Sequence, residues 1–148
     1  MKTEIERKFL VKNQDFKKQA IHQHHIHQAY LSKDPERTVR IRIKDLEGWL
    51  TIKGKSNPEG TSRLEWETKI SLNDARALLP LGVGTPIEKI RYLVPHGKWT
   101  FEVDEFLKPD PSLLLAEIEL PEENTSFEKP HWLGEEVTGN PQYYNASL

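Results

Sequence analysis

Polar and apolar residues alternate with a period of two along most of this chain, which predicts strands rather than helices. The opening stretch Thr3-Glu4-Ile5-Glu6-Arg7-Lys8-Phe9-Leu10-Val11 sets the pattern, with Glu4, Glu6 and Lys8 on one face and Ile5 and Phe9 on the other. In residues 37–44, Arg40, Arg42 and Lys44 oppose Val39, Ile41 and Ile43; in 49–55, Thr51, Lys53 and Lys55 oppose Leu50 and Ile52. The intervening Asp45-Leu46-Glu47-Gly48 reads as a hairpin turn. Further on, Arg63, Glu65, Glu67 and Lys69 share one side of 63–70, Lys89 and Arg91 one side of 87–94, and Glu102 and Asp104 one side of 99–106. Glu117 and Glu119 end the otherwise apolar run 113–120.

The helical signals are few. Asn13-Gln14-Asp15 offers a cap for a short helix to about residue 20, and Asn73 one for a helix over 74–79, which Pro80 and Gly82 stop. The stretch 21–31 reads as a strand entering at His24, and it carries four of the six histidines. His25 and His27 share a face, but with no carboxylate nearby in sequence the stretch reads as a solvated loop and strand start rather than a metal site. Beyond residue 120, Pro121, Pro130, Gly134, Gly139 and Pro141 predict mostly loop with short helical turns.

Composition narrows the picture. The 148 residues suffice for one core, and no break in composition divides them, so residues 1–148 read as a single domain. Charged residues make up 30% of the chain but nearly cancel to a net −2, so its overall field selects neither nucleic acid nor membrane as partner. With no cysteine, a metal would need carboxylate or histidine ligands. No apolar run is long enough to span a bilayer and the first residues form a charged strand, so a cytoplasmic protein is expected.

Each alternating strand taken singly fits a sheet with one wet face. Taken together, the polar positions hold almost nothing but ionised groups, with cations gathered on 37–55 and at Lys89 and Arg91, and carboxylates on the first and last strands. Two like charges 4 Å apart repel by roughly 4 kcal/mol at an effective dielectric near 20, so converging cations call for a polyanion among them. A triphosphate suits such a site. Carboxylates at i and i+2 on two strands offer the hard oxygen donors that Mg²⁺ or Mn²⁺ accepts alongside substrate phosphates. A sheet curled into a barrel with its charged face inward would bring both sets to one wet cavity.

The blocks Glu4-Ile5-Glu6-Arg7-Lys8, Gln28-Ala29-Tyr30-Leu31, Val39-Arg40-Ile41-Arg42, Thr51-Ile52-Lys53-Gly54, Glu65-Trp66-Glu67, Glu88-Lys89-Ile90-Arg91-Tyr92, Glu117-Ile118-Glu119 and Gly134-Glu135-Glu136-Val137-Thr138 resemble, in this order, the CYTH superfamily of triphosphate tunnel metalloenzymes. The resemblance covers nearly the whole chain, which is similar to short bacterial inorganic triphosphatases. It implies a mostly β, α+β protein: a closed eight-stranded antiparallel barrel with a charged interior and a few short flanking helices. It further implies a metal-dependent hydrolase of inorganic triphosphate to pyrophosphate and phosphate, with Mg²⁺ or Mn²⁺. By position, Glu4, Glu6 and Glu119 correspond to metal ligands, with Glu117 and Asp104 as second-site or outer-shell groups. Lys8, Arg40, Arg42, Lys53, Lys55 and Arg91 correspond to the phosphate clamp, and Lys89 with Glu67 to the pair that activates water. Two alternatives stand beside this reading: a class IV adenylate cyclase or thiamine triphosphatase, with Trp49, Trp66 or Trp99 stacking on a ring, and a non-catalytic polyphosphate-binding module. A homodimer is the expected cover for apolar outer walls in a chain with so few helices.

Overall fold

The computed structural model describes residues 2–148, and among these nine strands form one continuous antiparallel sheet. They are β1 (Lys2–Val11), β2 (His22–Ser32), β3 (Arg37–Lys44), β4 (Glu47–Gly54), β5 (Ser62–Ile70), β6 (Val83–His96), β7 (Trp99–Lys108), β8 (Leu114–Glu119) and β9 (Leu133–Glu136), with one helix, α1 (Leu72–Leu78). Their order is β5-β4-β3-β2-β6-β7-β8-β1-β9, and a further β5–β1 pairing closes the first eight into the expected barrel. Closure is a matter of register. Lys2–Ile5 of β1 pair with β5, Glu6–Leu10 pair with β8, and Phe9 and Val11 take β9 on the edge that β5 has left.

The barrel turns the predicted polar faces inward. The main core lies outside the wall, where Phe9, Val94, Phe101, Val103, Ala116 and Ile118 pack under Phe16, Trp132 and Leu133 from the segments that flank the barrel. Phe16 sits on a four-residue 3₁₀ turn, Asp15–Lys18, shorter than the helix expected there, and the local support comes from Asn13 Oδ1 accepting from the Asp15 amide. On the opposite wall α1 covers β3 and β4, and a 3₁₀ turn, Leu79–Leu81, covers β2. Ser71, rather than Asn73, caps α1: its Oγ accepts from the Asp74 amide at 3.0 Å. The chain thus covers much of its own outer surface, leaving Ile52, Leu64 and Trp66 exposed on β4 and β5. Strand β9 was expected as loop; four residues with two consecutive glutamates carry too little alternation to announce a strand, and pairing with β1 makes it one.

One end of the barrel is filled. Tyr30, Ile87, Phe106 and Leu115 form an apolar cluster, against which Leu10, Tyr143, Ala146 and Leu148 pack. The last residues of the chain therefore enter the barrel through two 3₁₀ turns, Pro141–Tyr143 and Asn145–Ser147.

Candidate functional site

Strand alternation in a closed sheet gives every second side chain of β1–β8 to a common interior. The result is a cavity of about 960 Å³, large enough for a small, heavily charged ligand, lined by ionised side chains of β1 and β3–β8, by Tyr30 of β2 and by residues of the C-terminal segment. Among the described residues no tryptophan lines it; Trp66 faces outward, 40% exposed, and Trp99 packs on the outer core.

Acids and bases divide the interior. On one side Glu4 and Glu6 of β1 face Glu117 and Glu119 of β8, with Glu6 opposite Glu119 and Lys8 opposite Glu117 in register. Burial first, then the charges of Glu117 and Glu4, raise Glu6 well above the usual carboxylate range, and Glu6 hydrogen-bonds Glu117. Glu117 is held well below that range: burial opposes its ionisation, but Lys8 at 3.5 Å and the hydrogen bond with Glu6 outweigh it. Glu4 accepts from Lys53 Nζ at 2.8 Å, which against the effect of burial keeps it ionised. Glu119 stands at the open rim, where its carboxylate, 57% exposed, meets Lys2 at 3.3 Å. Glu65 belongs to the same group although the motif blocks did not assign it a role; it lies 3.5 Å from Lys53 and 3.6 Å from Lys2. It shares strand parity with Glu67, a signal already present in the sequence.

No three carboxylates or histidines converge on one point among the described residues. The donor chemistry nevertheless fits a hard divalent cation. The set is all oxygen, and Glu6 and Glu117 hydrogen-bond each other while the charges of Glu117 and Glu4 disfavour ionisation of Glu6, a repulsion that a dication would relieve.

The cations meet on the other side. Arg40 Nη2 donates to Thr51 Oγ1 at 3.1 Å, and its buried Nε has no partner. Arg42 Nε donates to Gln28 Oε1 at 2.8 Å; burial, then Arg40 and Arg91, disfavour its charged form. Arg63 lines the same wall, held through Nε by the Gly54 carbonyl at 3.1 Å. Lys55 is at the rim, its side chain 70% exposed and 3.6 Å from Glu36. Lys89 is almost fully enclosed, and burial, followed by Arg91 and Arg42, pushes its amine down to about 7 despite Asp104.

Two assignments change. Asp104, expected near a metal, faces inward but is covered by the cavity-lining cations, clasped by Arg91 at 2.8 and 3.0 Å and by Lys89 at 2.7 Å. Burial opposes its charge, and Arg91 and then Lys89 outweigh burial, so it stays ionised as their counter-ion. Glu67 does not reach Lys89. Strands β5 and β6 stand opposite one another in the barrel, with three strands between them by either route, and Glu67 instead accepts from Thr51 Oγ1 at 2.7 Å beside Arg40 at 3.7 Å. The groups that hold Lys89 are Asp104 and Asn145, whose Oδ1 is 2.7 Å from the amine. The histidines form outer and rim pairs, His24 with Asp45 and His25 with Glu88, both at 2.7 Å.

Residues 2–147 match the profile of the CYTH domain. A curated inorganic triphosphatase of Acetivibrio thermocellus is 44% identical over 100% of this chain and 94% of its own. One of Nitrosomonas europaea is 36% identical over 99% of this chain and 96% of its own. A crystal structure of an inorganic triphosphatase superposes with a TM-score of 0.70 at 32% identity, covering 97% of this chain and 94% of the other.

Proposed function

Because the chain belongs to the CYTH domain family, we propose that its barrel hydrolyses inorganic triphosphate to diphosphate and phosphate. One observation carries the reading beyond kinship: buried cations converge on the cavity, with the Arg40 Nε unpaired and the charged forms of Arg42 and Lys89 disfavoured by burial and by neighbouring cations. A polyanion removes that repulsion, and a chain of three phosphates, each with unesterified oxygens, offers one acceptor group per cluster of donors.

In this reading Lys8, Arg40, Arg42, Lys53, Lys55 and Arg91 bind the phosphoryl oxygens, the guanidinium groups through paired N–H bonds, and spread charge off the phosphorus under attack. Glu4, Glu6, Glu117 and Glu119 would hold Mg²⁺ or Mn²⁺, which when bound neutralises phosphate charge. Lys89 is the base. Its amine takes a proton from water as the water oxygen bonds to the terminal phosphorus, while the bond from that phosphorus to the bridging oxygen breaks and its electron pair leaves with diphosphate. Glu67 acts at a distance from this step, fixing Arg40 through Thr51.

Phosphate release from triphosphate, diphosphate and ATP, measured with Mg²⁺ and with Mn²⁺, tests the proposal. Turnover of triphosphate in preference to ATP is expected. Formation of cyclic AMP from ATP, or binding of triphosphate without turnover, would replace it by a cyclase or by a passive binder.

A further inference from the structure

Resting on the reading of Lys89 as the base, we propose that Asn145, in the C-terminal segment, is a positioning residue for the reaction, one that turns the free side of the Lys89 amine toward the cavity.

A neutral amine carries two N–H bonds and one lone pair in addition to its carbon. At Lys89, Asp104 Oδ2 and Asn145 Oδ1 each lie 2.7 Å from Nζ, so both N–H bonds are taken. The Phe106 ring stands 5.2 Å from the nitrogen on the apolar side. The remaining tetrahedral direction belongs to the lone pair, and Lys89 is among the residues that line the cavity. With Asp104 alone, the amine would rotate about its last carbon–nitrogen bond and share the lone pair among several staggered positions.

The amide is itself oriented. Asn145 Oδ1 also accepts from Gln28 Nε2 at 3.2 Å, and Gln28 Oε1 accepts from Arg42 Nε at 2.8 Å. Arginine can only donate, so it fixes the Gln28 oxygen toward itself and the Gln28 amide hydrogens toward Asn145. That places the Asn145 oxygen, not its nitrogen, against Lys89. Gln28 is fully buried and carries no charge, so the relay runs from the phosphate-facing Arg42 to the base through two neutral amides.

The backbone that carries Asn145 is anchored on both sides. Tyr143, Ala146 and Leu148 pack on the apolar cluster that fills the barrel end, and Lys8 Nζ donates to the Tyr143 carbonyl at 2.9 Å. The segment therefore enters the barrel at a set depth, and Asn145 is the side chain it delivers to the base.

The test uses the full chain with Mg²⁺ or Mn²⁺ and inorganic triphosphate. Asn145→Leu keeps the approximate shape and removes the acceptor; it is expected to lower kcat by about tenfold, a part of the 10²–10⁴ that general-base catalysis supplies, with KM little changed. In a Lys89→Ala background the same substitution should cost nothing further, since the group it positions is gone. Asn145→Ser, too short to reach Lys89, repeats the measurement with a small polar side chain should the leucine disturb folding. Wild-type kcat in both Asn145 variants, alongside an inactive Lys89→Ala, would overturn the positioning role and leave the base in place. An effect confined to KM, or an equal loss in the Lys89→Ala background, would also overturn it. Full activity of Lys89→Ala would instead remove the base reading on which the inference rests.

Discussion

Lys89 shows how much a single residue owes to its surroundings. In sequence it is one of two cations at alternate positions of a strand, and nothing local separates it from Arg91. Enclosure separates them, because the guanidinium tolerates burial against Asp104 while the amine is pushed down to about 7. A base must be unprotonated to act, so kcat/KM, which reports the free enzyme, should fall as pH drops through about 7 and level off above it. Lys89→Arg, which keeps the cation but not the titration, should remove that limb of the profile and most of kcat, by about 10² or more. A profile unchanged in Lys89→Arg would show that the limb belongs to another group. Glu67 teaches the converse lesson: the motif suggested a partner for Lys89, yet strand order places it across the barrel.

At the scale of elements, loops fix the shape of the site as much as strands do. Gly60, at φ 76°, and Gly139, also at φ 76°, bring the β4–β5 loop against the start of the C-terminal segment. A Cβ on Gly60 would lie 2.2 Å from the Gly139 Cα, and one on Gly139 would lie 2.6 Å from the Glu59 carbonyl oxygen. Gly139→Ala therefore meets both a left-handed backbone and a backbone clash, and should destabilise the protein by about 1–3 kcal/mol. Thermal unfolding measures this. A melting temperature equal to the wild type's would mean that the two loops do not depend on close contact. Residues 133–148 announce only short helical turns in sequence, because β9 becomes a strand only by pairing with β1, and the two terminal turns take their places from the barrel end that receives them.

At the scale of the whole molecule, the inward charged face is a cost that ligands offset. Glu6 has a higher pKa folded than unfolded, so above the ordinary glutamate value, about 4.3, the unfolded chain ionises while the folded one keeps its proton. Metal-free stability should therefore decline as pH rises from that value toward neutrality, and Glu6→Gln should melt at or above the wild-type temperature near pH 7. Mg²⁺ or Mn²⁺ should raise the melting temperature of the wild type and not of Glu6→Gln. An equal rise in both proteins would place the ion elsewhere. Asp104 runs the other way: its depressed pKa contributes stability above the unfolded aspartate value, about 3.9, and that contribution is lost as pH falls below it.

Period-two alternation determined a great deal by itself: most of the strands, the side chains that share a face on them, and nearly every ionised group that lines the cavity, while the inward turn of that face was implied by the family resemblance. These properties are local, since a strand's side-chain direction follows from its own backbone. What only the tertiary structure decided is which of those charges meet. Asp104 and Glu117 carry the same charge on neighbouring strands, yet one is consumed by Arg91 and Lys89 on the inner face while the other meets Glu6 on the adjacent strand. Glu67 and Lys89 share a parity and a cavity but stand on opposite walls of it, and Asn145, with no pattern around it, reaches the base. Register, closure and the path of the last residues are set by pairing between segments far apart in sequence, so no window of sequence contains them.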